Sequence, residues 1–208
     1  DKAVNPTSTM GATKLLGEKI VTNAAISEKK VRCCCVRFGN VLASSGSVIP
    51  VFEKQIRDGN VVTVTSVEMT RFFMGIDDAV RLVLKASEMA KRGEIFILKM
   101  NALKIIDLAE VIVEELAPRY GKDPKKIKYK IIGLRPGEKL HEPLITEEEA
   151  RYMTERDNMF VLHNAALLPY VKKLPMNKAE KVFSYNSGTM PHLTKIQIKK
   201  MLKEKSII

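Results

Sequence analysis

Apolar positions along this chain switch between a helical period and short continuous runs. Leu16, Ile20 and Ala24 recur every four residues behind Asn5-Pro6, a good N-cap followed by a first-turn proline. The spacing predicts a helix from there to about Lys29. Val31 to Val36 is nearly all apolar, which suits a strand buried on both faces of a parallel sheet. Phe38-Gly39-Asn40 breaks it, and the Ser- and Gly-rich stretch from Ser44 to Ser47 leads into a helix with Val48, Phe52 and Ile56 on one face. Val61 to Thr65 reads as a strand, followed by a helix with Ile76, Val80, Val83 and Leu84 inward. Ile95–Leu98 is the next strand. Ile105, Leu108, Ala109, Ile112 and Leu116 mark a helix that stops near Pro118 and Gly121. Lys128 to Ile132 and Met159 to Leu162 read as strands, Gly133 to Lys139 as a loop, and Thr194 to Lys205 as a last helix with Ile196, Ile198, Met201 and Leu202 inward. Alternating strands and helices predict an α/β protein.

Composition adds limits. The chain has 208 residues and is 45% hydrophobic, enough for a sizeable core. No apolar stretch approaches the ~20 residues of a membrane span, so no integral membrane segment is expected. The opening Asp1 to Pro6 has neither signal- nor transit-peptide character. Net charge is +11, and Val171 to Ile208 holds nine Lys against two Glu. With 6% aromatic residues and no basic–aromatic interleaving, this charge reads as a solvated helix surface and attraction for a polyanionic small substrate. Nucleic acid is not an expected partner. Cys33, Cys34 and Cys35 alternate faces along a strand, so they read as small core residues, and His141, His163 and His192 are scattered. No metal is expected.

Two groups of residues carry candidate chemistry. Met10 and Lys14 are one helical turn apart, with Asp1 and Lys2 just upstream. A carboxylate beside two ammonium groups is an acid/base cluster in type. Arg71 and Arg135 are placed in loops after strands, Glu138 three residues beyond Arg135, and loop arginines suit bidentate contacts to phosphate.

Taken in order, Asp1 to Pro6, Met10 to Lys14, Arg37 to Val41, Gly46 to Pro50, Met69 to Phe73 and Gly133 to Leu140 resemble the extended short-chain dehydrogenase/reductases. Within them the chain is most similar to the polysaccharide-biosynthesis branch, the UDP-N-acetylglucosamine 4,6-dehydratases. The resemblance implies the C-terminal part of a Rossmann-type parallel sheet with a smaller α/β substrate-binding lobe. Expected divisions are 1–60, the later Rossmann part with the catalytic helix; 61–150, mixed Rossmann-completing and substrate-binding segments; and 151–208, a substrate-lobe extension with the basic helix.

The resemblance also implies roles. Asp1 would be the acid in loss of the C6 hydroxyl and Lys2 the base at C5. Lys14 would bind the nicotinamide ribose of NAD, which is expected rather than NADP. Met10 takes the place of the family's Tyr. A thioether accepts no proton from the sugar 4-hydroxyl, which leaves Asp1 as the expected acceptor. Arg37, Phe38, Gly39 and Val41 would line the cofactor side. Asn40, Arg71 and Arg135 would touch the substrate diphosphate, with Glu138, Val48 and Pro50 on the nucleoside side. In the implied reaction, hydride leaves C4, water is lost across C5 and C6, and hydride returns to C6, so NAD is recycled.

The family's Gly-x-x-Gly-x-x-Gly phosphate loop is not found in these 208 residues. The expectation is therefore an incomplete Rossmann domain that binds NAD poorly by itself. Alternatives are a nucleotide-sugar epimerase of the same superfamily, or a non-catalytic sugar-nucleotide-binding or assembly module. A cytoplasmic homo-oligomer with a UDP-sugar substrate completes the expected setting.

Overall fold

A computed structural model describes residues 2–27, 31–44, 46–164 and 184–208. Its elements, in chain order, are α1 (Thr9–Ser27), β1 (Cys35–Arg37), β2 (Asn40–Val41), α2 (Val48–Asp58), β3 (Val61–Val64), β4 (Thr70–Met74), α3 (Ile76–Met89), β5 (Ile95–Leu98), β6 (Asn101–Lys104), α4 (Ile105–Leu116), β7 (Lys128–Ile131), β8 (Pro143–Ile145), α5 (Glu147–Ala150), β9 (Met153–Arg156), β10 (Met159–Leu162), β11 (Tyr185–Asn186) and α6 (Lys195–Glu204). They form two compact units. Unit 1 comprises Asp1–Gly39, Asp77–Met100 and Pro143–Asn186; unit 2 comprises Asn40–Ile76, Asn101–Glu142 and Ser187–Ile208. The units interleave along the chain, each drawing on three separate stretches. The sheets recruit strands far apart in sequence.

Unit 1 carries a four-stranded sheet in the order β1-β5-β10-β9, with β1 parallel to β5 and β10 antiparallel to both neighbours. Strand β1 is shorter and later than the Val31–Val36 run, and the three cysteines are half-buried. Helix α1 reverses its expected orientation. Gly11, Glu18, Thr22 and Ala25 face inward, whereas Leu16 and Ile20 are 61% and 60% exposed. Small residues permit a close approach here. Gly93 has φ +74°, and a Cβ on it would meet the Thr22 carbonyl at 2.9 Å. Helix α3 is also turned, burying Ala79, Leu82 and Ala86 and exposing Ile76, Val80, Val83 and Leu84.

Unit 2 holds a three-stranded sheet, β2-β4-β6, and a parallel pair, β3-β7. Helices α2, α4 and α6 cover a core that includes Phe52, Ile56, Val64, Leu108, Ile112, Ile198 and Leu202. Strand β4 is buried throughout, so Arg71 lies on a strand and not in a loop. The C-terminal helix opens with a reciprocal cap between Thr194 and Gln197. Its Ile196 points outward. Lys195 and Lys199 pair with Glu110 and Glu115 of α4, and Lys203 lies 3.7 Å from Glu115. Part of the basic C-terminal charge is thus matched to the acidic edge of α4.

Candidate functional site

The expected residues divide between the units. Lys2, Met10, Lys14, Arg37, Phe38 and Gly39 belong to unit 1; Asn40, Val41, Val48, Pro50, Arg71, Arg135 and Glu138 belong to unit 2. Asp1 lies outside the described residues.

In unit 1 the entry to α1 differs from the expected Asn5-Pro6 cap. Helix α1 starts at Thr9, and Ser8 caps it by accepting the Gly11 amide at 3.1 Å. Asn5 has φ 46°, the left-handed conformation that Asn tolerates. The segment Lys2 to Pro6 folds back over the first turn of the helix. A Cβ on residue 11 would lie 2.7 Å from the Lys2 carbonyl and 2.9 Å from Pro6 Cβ, so glycine is required there. The Lys2 backbone is thereby held against the turn that bears Met10, with Lys14 one turn further; all three residues are exposed.

Arg37 has a role that the expected cofactor contact did not foresee. Its Nε and Nη2 donate to the Glu18 carboxylate at 2.7 and 2.6 Å. Nη1 donates to the Leu144 carbonyl and to Glu149 at 3.0 Å each, and Nη2 also donates to Glu149 at 2.6 Å. All five N–H groups are used within unit 1, so Arg37 is a buried brace with no donor left for a cofactor. Burial opposes the cation, but Glu18 and Glu149 outweigh it and raise its pKa. Burial likewise pushes against the Glu149 carboxylate, yet Arg37 and Thr146 hold its pKa below the ordinary value. At the end of β1, Gly39 donates to the Met100 sulfur at 3.3 Å. Tyr185 accepts the Met100 amide at 2.6 Å and donates to its carbonyl at 3.0 Å. Burial, followed by the Glu18 charge, pushes the Cys35 thiol up to about 11, which leaves it protonated at neutral pH.

In unit 2, Asn40 and Val41 form β2 opposite Phe73 and Met74, and Val48 and Pro50 occupy the first turn of α2, half-buried. Arg71 donates to its neighbour Thr70's carbonyl at 2.7 Å, to Leu140's at 3.0 Å and to Lys139's at 2.7 Å, with Glu142 3.8 Å away. Burial lowers its pKa, against the pull of Glu142 and Glu138. Arg135 is exposed in the loop that Arg71 thereby secures. Glu138 closes that loop by accepting the Arg135 amide at 3.1 Å and donating its own amide to the Arg135 carbonyl at 3.0 Å. Beside Arg71 lies a polar group absent from the sequence-based site. Thr70 bonds His141 at 2.7 Å and Ser187 at 2.8 Å, and Ser187 accepts the Glu142 amide at 2.9 Å. Burial, then the charges of Arg71 and His192, lower the His141 pKa.

Glu18, Glu149, Thr70, His141, Glu142 and Ser187 were missed because their value lies in remote partners. One local signal existed: Thr146-Glu147-Glu148-Glu149 is a capping-box pattern, and that box does form. Among the described residues, no His, Cys, Asp and Glu cluster is placed to hold a metal, and no helix is long and apolar enough to cross a membrane.

Known proteins resemble the chain throughout its length. An uncharacterized membrane protein of Methanocaldococcus jannaschii is 51% identical over all of this chain, which spans 61% of that protein. A UDP-N-acetylglucosamine 4,6-dehydratase (inverting) of Campylobacter jejuni is 36% identical over 92% of the chain and 57% of its own length. The solved structure of Pen from Bacillus thuringiensis matches with a TM-score of 0.88 at 36% identity, covering 100% of this chain and 61% of that one. The dTDP-glucose 4,6-dehydratase of Bacillus anthracis, solved in complex with NAD, matches 64% of the chain and 42% of its own at a TM-score of 0.53 and 14% identity, which shows a shared Rossmann-type fold. The chain thus spans about three-fifths of the length of each of these two curated relatives. Residues 1–164 match the model of the polysaccharide biosynthesis protein family, and the chain belongs to that family.

Proposed function

We propose that this chain supplies the proton-transfer and sugar-nucleotide-binding residues of an NAD-dependent nucleotide-sugar 4,6-dehydratase. The substrate would be UDP-N-acetylglucosamine or a close analogue, and the product a 4-keto-6-deoxy sugar nucleotide for surface polysaccharide synthesis. The enzyme would act as a cytoplasmic homo-oligomer. The observation that carries the reading is the fold-back of Lys2 over Gly11, which groups Lys2, Met10 and Lys14 at the start of one helix.

In this reading Lys2 removes the C5 proton. The Met10 thioether is too weakly basic to accept a proton, so Asp1 takes the 4-hydroxyl proton and later assists departure of the C6 hydroxyl. Arg71, Arg135 and Asn40 bind the diphosphate, and Val48, Pro50 and Glu138 border the nucleoside. NAD, when bound, supplies a hydride acceptor and donor. The residues present fit it only in part: Lys14 is exposed and suited to its ribose, whereas Arg37 has every donor engaged. Phe38, Gly39 and Val41 would contribute surface alone.

The test is product analysis with UDP-N-acetylglucosamine and NAD, using an enzyme that joins this chain to a Gly-x-x-Gly-x-x-Gly half. A product lighter by one water is expected. Unchanged mass with an inverted C4 would make the protein an epimerase instead, and no turnover would favour a binding or assembly module. Asp1→Asn retaining full turnover would remove Asp1 from the mechanism.

A further inference from the structure

Ser187 is fully buried, yet it lies in the last stretch of chain, remote in sequence from every residue assigned to the substrate. Its hydroxyl lies 2.8 Å from Thr70 Oγ1 and 3.2 Å from the Thr70 carbonyl, and it accepts the Glu142 amide at 2.9 Å. Its own amide donates to the Glu142 carbonyl at 3.1 Å. One residue therefore ties the start of β4 to the segment that follows the Gly133–Leu140 loop. The same junction is crossed twice more. The Thr70 amide donates to the Leu140 carbonyl at 3.1 Å, and the Arg71 guanidinium spans the Lys139 and Leu140 carbonyls. The fit is close: a Cβ on Gly188 would meet the His141 ring at 2.6 Å, while His141 holds Thr70 from the other side.

We propose that Ser187 is a positioning residue for diphosphate recognition. It fixes Arg71 on β4 relative to the loop that carries Arg135, so that the two guanidinium groups keep one spacing. This rests on the diphosphate reading given above. Two guanidinium groups bind a diphosphate together only when their separation is set in advance, since ordering them on binding costs affinity. Within the junction every proton has an acceptor. The Ser187 hydroxyl can donate to Thr70 Oγ1 or to the Thr70 carbonyl, so either tautomer of His141 is accommodated.

The experiment measures binding of UDP and of uridine to the full chain and to Ser187→Ala, Thr70→Val and the double variant. For Ser187→Ala, UDP affinity should fall about tenfold, the scale of having to order one long side chain on binding. Uridine affinity should stay near wild type, while the thermal midpoint should fall by a few degrees because the buried Glu142 amide loses its acceptor. Thr70→Val should give a similar loss, and the double variant no more than either alone. Unchanged UDP affinity in both single variants would overturn the proposal and leave the diphosphate reading intact. Equal loss of UDP and uridine would also overturn it, since that reports general destabilisation. Wild-type protein that binds no UDP would remove the diphosphate reading itself. If Ser187→Ala does not fold, Thr70→Val alone decides by the same two affinities.

Discussion

Arg37 lies between two glutamates with 3% of its surface exposed. Replacing it with Met should cost roughly 3–5 kcal/mol in urea unfolding, because the buried Glu18 and half-buried Glu149 carboxylates would lose their shared cation. The Glu149 pKa is held below the ordinary glutamate value of about 4.3. A depressed acid contributes stability that is present above its unfolded pKa and is lost as pH falls through its folded pKa. The urea midpoint should therefore drop on acidification below about pH 4, and Glu149→Gln should flatten that dependence. An unaltered acid profile in Glu149→Gln would show that the brace does not govern it. At this scale the sequence revealed residue types but not pairings. Arg37 belongs to a recognisable motif, whereas Glu18 and Glu149, 19 and 112 residues away, become its partners only through the fold.

Elements with a consistent helical apolar period or an unbroken apolar run were legible: α2, β5, α4 and β10 fall where the pattern predicts them. Helices α1 and α3 have two competing faces, and the bulkier one is outside. The periodicity rule weighs size, but close helix–strand approach favours Gly, Ala and a paired Glu. Arg71 interrupts the apolar run of strand β4 and hides the strand from its pattern, while backbone carbonyls take three of its five N–H groups. Gly11→Ala provides a sharp test of the α1 entry. In an ordinary helix interior this change stabilises by about 1 kcal/mol. Here it should destabilise and loosen Lys2 to Pro6, visible as a lower thermal midpoint and faster amide exchange in α1's first turn. At the C-terminal helix, Thr194→Ala should cost about 1 kcal/mol through loss of the cap.

At the level of the whole molecule, family and fold class could be read because six motifs recur in order, whereas the division into units could not. These 208 residues contain no Gly-x-x-Gly-x-x-Gly loop, and the Arg37 donors are engaged within unit 1. Calorimetry of the chain alone should show no saturable NAD binding at micromolar concentration; a micromolar dissociation constant would contradict this. The interleaving of the units also bears on inheritance. The polypeptide passes from one unit to the other five times, after Gly39, Ile76, Met100, Glu142 and Asn186. No pair of recombination breakpoints in its gene can lift out either unit as one continuous stretch. Exchange between related genes would therefore tend to preserve both units together, and variation confined to one unit would accumulate by point substitution.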